Sequence, residues 1–253
     1  AESGVAELAQ KRPVQPEVSL IMPAYNAQDY IARSIDTALA QSFADMELII
    51  VNDGSTDQTQ QILEWYRERF PQVKVFHKEN GGQASARNMG VWHSAGEYIA
   101  LMDNDDTLRP DMIERLHASI LKNDCDIAMT SVYQITNEGY EGISEYPMAE
   151  NTPVSFDEFF ELYIGYAYPV IWNKLYRASL VKDHPFAVVT YEDNAWTPVI
   201  LSYAEKICYI NEHLYEYDRK IRSTTAIHTS ISRPEEKQLE DRREYLMFFL
   251  TQG

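Results

Sequence analysis

The feature that most constrains this chain is an alternation. Short apolar runs, "VSLIM" (18–22), "ELIIV" (47–51), "VKVF" (73–76) and "YIALM" (98–102), take turns with segments patterned as helices. The helical segments are "DYIARSIDTALAQ" (29–41), "DQTQQILEWYRERF" (57–70), "QASARNMGVWHSA" (83–95) and "PDMIERLHASILKN" (110–123). Runs that are apolar throughout fit strands covered on both faces, and a set such as Ile62, Leu63, Tyr66 and Phe70 fits one buried helix face. Strand and helix in alternation predict a parallel α/β sheet flanked by helices. "DIAMTSVYQI" (126–135) is expected to complete this half. The remainder is less regular, with helices expected at 155–164 and about 192–204 and a strand near 206–217. Residues 1–17, polar with two prolines, read as an arm or linker, and 229–253 as a C-terminal amphipathic helix.

With 253 residues and 45% hydrophobic content the chain can bury one substantial core. Asp and Glu outnumber Lys and Arg by 39 to 22, a formal charge of -17 that argues against non-specific nucleic-acid binding. An anionic substrate would therefore have to meet a local positive device, either a metal or a basic loop. Cys125 and Cys208 stand far apart without a CxxC pattern, so no disulfide framework or zinc site is indicated and a reducing, cytoplasmic setting is the default. No run approaches a membrane span, and residues 1–17 lack the apolar core of a signal peptide. A chain that begins at Ala1 and stops at Gly253 leaves room for membrane or partner segments outside it.

In open parallel sheets ligands bind beyond the carboxyl ends of the strands. Three tails occupy that position: "PAYN" (23–26), "NDGSTD" (52–57) and "DNDD" (103–106). The first two have ordinary alternatives as a turn and a helix cap, but their joint placement puts Tyr25, Asp53 and Asp103 along one sheet edge. The acid cluster admits three readings. As a calcium loop, Asp103, Asp105, Asp111 and Glu114 fall in ligand register, yet Leu108 replaces the required glycine and Pro110 interrupts the loop. As a phosphatase of the haloacid dehalogenase type, "DNDDT" fits DxDxT with Asp103 as nucleophile, but the companion acid pair is missing downstream. As a metal clamp, Asp103 and Asp105 offer hard oxygen ligands suited to magnesium or manganese gripping a diphosphate.

The blocks "PAYNAQDYIARSIDTALAQSFADMELIIVNDGSTDQT", "NGGQASARNMGVWHSAGEYIALMDNDD" and "YEDNAW" (191–196), in this order and spacing, resemble glycosyltransferase family 2 over residues 18–225. The resemblance implies the GT-A fold, a nucleotide-diphosphate sugar donor, a divalent cation (Mn2+ or Mg2+) and inversion at the anomeric carbon. It divides the domain at 18–228 into a nucleotide-binding half (18–135) and an acceptor half (136–228). By the same resemblance Pro23, Tyr25, Asn26 and Asp53 would hold the nucleoside. Arg87 would lie near the base or phosphates, and Gly82 would let the backbone approach closely. Asp103 would face ribose and metal, and Asp105 would ligate the metal. Inversion needs a base across the sugar from the leaving group, and the family's acid-acid motif assigns it to Asp193, with Glu192 beside it. Without the resemblance, Glu192 and Asp193 would read as helix N-terminal acids.

The basic stretch "YDRKIRSTTAIH" (217–228) stands out in so acidic a chain. Arg219, Lys220, Arg222, Ser223 and His228 could form a lid over the diphosphate, with Arg222 on the nucleotide and His228 an extra metal ligand. A solvated loop is the plainer reading. "IWNKLY" (171–176) is expected to line the acceptor side, Trp172 offering an apolar face to a sugar with Asn173 and Lys174 beside it. Twelve of the 17 tyrosines lie between Tyr133 and Tyr217, which favours this half for a carbohydrate or lipid-linked acceptor. A catalytically inactive sugar-binding module is the non-enzymatic alternative, with Asp53, Asp103, Asp105 and Asp193 intact against it.

Overall fold

The computed structural model describes residues 15–160, 170–187 and 192–220. The expected arm (but for residues 15–17), the second half of the 155–164 helix, Tyr191, the lid residues Arg222, Ser223 and His228, and the C-terminal helix lie outside the described residues.

Four strands and the helices between them follow the alternation. They are β1 (Val18–Ala24), α1 (Ile31–Leu39), β2 (Met46–Asp53), α2 (Thr59–Arg69), β3 (Val73–Lys78), α3 (Gln83–His93) and β4 (Tyr98–Leu101). Parallel pairing sets Val18 opposite both Met46 and Tyr98, and Leu48 opposite Val73. β1 and β2 are buried along their whole length; α3 packs on both strands and α2 on β2, which leaves no solvent face for alternating polar residues. α1 buries Ile31, Ser34, Ile35 and Ala38, one stripe at helical spacing. α3 lies so close to β1 that a Cβ on Gly90 would come within 2.4 Å of Ile21 Cγ2.

The rest of the chain extends the same sheet in mixed fashion. It contributes β5 (Thr107–Leu108), α4 (Met112–Asn123), β6 (Ile127–Thr136), β7 (Gly139–Ile143), β8 (Lys174–Arg177), α5 (Ala178–Asp183), α6 (Glu192–Ser202) and β9 (Ile207–Asp218). Among the described residues the nine-stranded order is β3-β2-β1-β4-β8-β6-β9-β5, with β7 also on β6. The 126–135 strand is thus present, but it does not adjoin β4. β8 inserts between them, antiparallel to both. "IWNKLY" therefore supplies a central strand that its Asn and Lys disguise.

One expectation is corrected. Cys125 and Cys208 form a disulfide, with Cα atoms 6.3 Å apart across 83 residues of sequence. Parallel pairing of β6 with β9, Ile127 opposite Ile207, carries the two segments side by side, a contact that sequence spacing does not reveal. No helix among the described residues is long and apolar enough to cross a membrane.

Candidate functional site

The carboxyl ends of β1, β2, β3 and β4 share one edge of the sheet, and the three motif tails meet there. Asn26 adopts a left-handed conformation, φ 47°, and its Oδ1 accepts from Thr56 N at 2.8 Å while its own N–H donates to Ser55 Oγ at 3.0 Å. The PAYN turn is thereby tied to the tail of β2. Pro23 O accepts from Asn104 Nδ2 at 2.8 Å, joining β1 to the acid loop, and Tyr25 is exposed at this edge.

Asp53 is buried, and its carboxylate organises the next loop. Lys78 Nζ donates to Oδ1 at 2.6 Å, Gly81 N to Oδ1 at 2.9 Å and Gly82 N to Oδ2 at 2.8 Å. Gly82 sits at φ 85°, a conformation L side chains rarely adopt, and a Cβ there would meet nothing within 4 Å. The loop thus presents bare backbone to open space at the start of α3.

Asp103, Asp105 and Asp106 place one carboxylate oxygen each within 4.8 Å of one another. Asp106 is fully buried; it accepts from the Tyr215 hydroxyl at 2.6 Å and from Asp218 N at 3.0 Å, so both its oxygens are engaged. Burial, and then the neighbouring Asp105 and Asp103, push its pKa well above the ordinary range. Asp105 is pushed up to about 7 by burial and by Asp103. Arg33 anchors the loop from α1, donating to Asp105 O at 2.7 Å and to Asp218 Oδ2 at 2.8 Å. Clustered, partly desolvated carboxylates disfavour one another's charge, and a divalent cation among them would relieve that cost. The all-oxygen donor set suits magnesium or manganese, with Asp103 and Asp105 the acids left to hold it.

Across from this cluster lies the start of α6. Arg87, from α3, is buried and bridges the two sides: one guanidinium nitrogen donates to Asp103 Oδ1 at 2.6 Å and another to Glu192 Oε1. Asp193, partly exposed, follows Glu192; burial raises its pKa, and the Arg87 charge opposes that rise. α6 is held by Trp196, which stacks on Phe186 at 4.2 Å and donates to His184 O at 2.6 Å.

Trp172, Asn173 and Lys174 lie beneath the site rather than on an open surface. Trp172 is buried and stacks on Tyr215, ring centroids 4.1 Å apart. Asn173 Nδ2 donates to Thr130 O at 2.6 Å, and Lys174 Nζ donates to Val170 O at 2.5 Å and Asn173 Oδ1 at 2.6 Å. The structure therefore brings together Pro23, Tyr25, Asn26, Asp53, Gly82, Arg87, Asp103, Asp105, Glu192 and Asp193. Sequence reasoning missed Arg33, Lys78, Tyr215 and Asp218 as supports of the site. Lys78 ends its strand beside Asp53, a signal readable once β2 and β3 are paired; the other three carry none.

A family model described as Glycosyl transferase family 2 matches residues 19–184. The chain is 29% identical over 213 residues to the glycosyltransferase GlyA of Streptococcus pneumoniae, covering 81% of this chain and 31% of that protein, so it spans about a third of that relative's length. S. aureus TarS 1-349 in complex with UDP superposes with a TM-score of 0.70 at 25% identity, over 80% of this chain and 60% of that one. The mannosyltransferase PcManGT from Pyrobaculum calidifontis, in complex with GDP-Man and Mn2+, shares the fold with a TM-score of 0.63 at 16% identity, over 89% of this chain and 65% of that one.

Proposed function

We propose that this chain, which belongs to glycosyl transferase family 2 and is a glycosyltransferase of the GT-A fold, moves a hexosyl or N-acetylhexosaminyl group from a UDP-sugar to a glycan or lipid-linked acceptor with inversion. The observation that carries this reading is the facing of two acidic groups. Asp103, Asp105 and Asp106 gather at the strand ends, and Glu192 and Asp193 stand opposite, with Arg87 between. The UDP complex of TarS supports the choice of donor.

In this reading Pro23, Tyr25 and Asn26 bound the nucleoside, Asp53 fixes the loop at Gly82 against it, and Asp103 and Asp105 hold Mn2+ or Mg2+. The cation supplies charge neutralisation for the departing diphosphate. Asp193 accepts the proton of the acceptor hydroxyl as its oxygen bonds to the anomeric carbon from the face opposite the leaving group; the bond from that carbon to the phosphate oxygen breaks and UDP departs. Glu192, already paired with Arg87, is the poorer proton acceptor. Burial suits Asp193 to the task, because a carboxylate of raised pKa is the stronger base. Trp172, Asn173 and Lys174 shape the acceptor side from below. The setting proposed is bacterial surface polysaccharide synthesis in the cytoplasm, at the inner face of the membrane when the acceptor is lipid-linked.

Thermal unfolding tests the donor site. UDP should raise the melting temperature in the presence of manganese or magnesium, increasingly with concentration. Asp105→Asn should remove most of the shift, and Asp111→Asn, a ligand only of the calcium loop, should keep it. An equal shift in excess chelator counts against the metal clamp.

A further inference from the structure

Arg87 is the one described side chain that bonds to both acidic groups, and its placement is specific. Ala84, Ala86 and Gly90 bring α3 onto the sheet, Gly90 against Ile21, and this close approach sets Arg87 deep at the strand ends. The side chain is only 3% exposed, yet it carries a full charge, and an unpaired ion at such depth is costly. Its planar fork resolves this by spanning two carboxylates that belong to different parts of the chain: Asp103 beyond β4 and Glu192 in the first turn of α6, 105 residues beyond Arg87 itself. The third nitrogen, Nε, has no hydrogen-bond partner among the described residues, so the guanidinium depends on these two acids.

We propose that Arg87 is a positioning residue coupling the two halves of the site: through Asp103 and Glu192 it ties the start of α6, and with it Asp193, to the strand end that receives the donor. This rests on the donor reading above. Asp103 gives Oδ1 to Arg87, so a donor that immobilises the Asp103 carboxylate also immobilises the guanidinium and, through it, Glu192. The base-bearing helix is thereby ordered by donor rather than independently of it. Lysine cannot substitute, since one ammonium cannot hold two carboxylates in a planar fork.

Hydrogen exchange with mass spectrometry on the 192–202 peptide tests this, with UDP and Mn2+ as probe and calorimetry to measure UDP binding. In the wild-type protein UDP with Mn2+ should slow exchange in this peptide about fivefold or more, the lower end of ordinary coupling between sites. In Arg87→Lys that ratio, read with UDP raised until calorimetry shows the site saturated, should fall to about one. A purely structural role would speed exchange with and without ligand alike and leave the ratio at its wild-type value, which would overturn the proposal. Absence of slowing in wild-type protein that binds UDP overturns it without any variant, and leaves the donor reading standing. If the wild type binds no UDP with any divalent cation, the donor reading falls and this inference with it.

Discussion

The Tyr215 hydroxyl donates to Asp106 Oδ2 at 2.6 Å and accepts from Asp103 N at 3.2 Å, so one phenol on β9 fixes both ends of the acid loop. Trp172 stacked on the ring holds it in place. Tyr215→Phe keeps the ring and strands a buried carboxylate and an amide. It should lower unfolding free energy by about 1–3 kcal/mol and weaken manganese-dependent UDP binding. Urea unfolding and calorimetry check the two effects; an unchanged stability would show that Asp106 finds another partner.

Asp53 makes a second prediction. Three donors converge on its carboxylate, so Asp53→Asn would turn an N–H toward another N–H. The Gly81 and Gly82 amides should exchange faster, stability should fall by about 1–3 kcal/mol, and UDP should bind more weakly as a consequence. If Asp53 acted on the nucleoside alone, exchange at Gly81 and Gly82 without UDP would match the wild type.

Strands β1 to β4 were legible because their apolar runs are continuous, and the carboxyl-edge position of Asp53 and Asp103 followed from parallel pairing alone. β8 was hidden because Asn173 and Lys174, buried at its start, look like surface residues until Thr130 and Val170 are seen to satisfy them. β5 is two residues long and exists only because Glu216 and Tyr215 of β9 lie beside it. The pairing of Arg87 with Glu192 and of Cys125 with Cys208 depends on contacts 105 and 83 residues apart, beyond the reach of local pattern.

Lys174 yields a pH dependence. Burial pushes its pKa from 10.5 down to about 7, with the Asp193 charge opposing. A neutral amine has two N–H donors, matching the two acceptors Val170 O and Asn173 Oδ1. Above about pH 7 the unfolded chain retains a proton that the folded chain has shed. Stability from this group is therefore full above the unfolded pKa and is lost as pH falls to about 7, where both states are protonated. Urea unfolding between about pH 7 and 9 should show wild-type stability rising relative to Lys174→Met by up to about 1.4 kcal/mol per pH unit. Parallel curves would mean the amine stays charged.

Reduction of the disulfide should leave donor binding unchanged. Cys208 lies near the start of β9 and Asp218 at its end, roughly 30 Å apart at the ordinary strand rise. Calorimetry of UDP with Mn2+ before and after reduction checks this; a large loss of affinity would couple the pair to the site.

The base is the central claim, and Asp193→Asn tests it most directly. Burial raises the pKa of Asp193, so as solution is acidified wild-type transfer should begin to fall at a higher pH than an ordinary carboxylate would dictate. The variant keeps the shape and removes the proton acceptor. UDP-sugar affinity measured by calorimetry should stay near wild type, while the transfer rate to an acceptor found by screening falls by about 10² to 10⁴. Transfer at near wild-type rate, or loss of donor binding, would contradict the account.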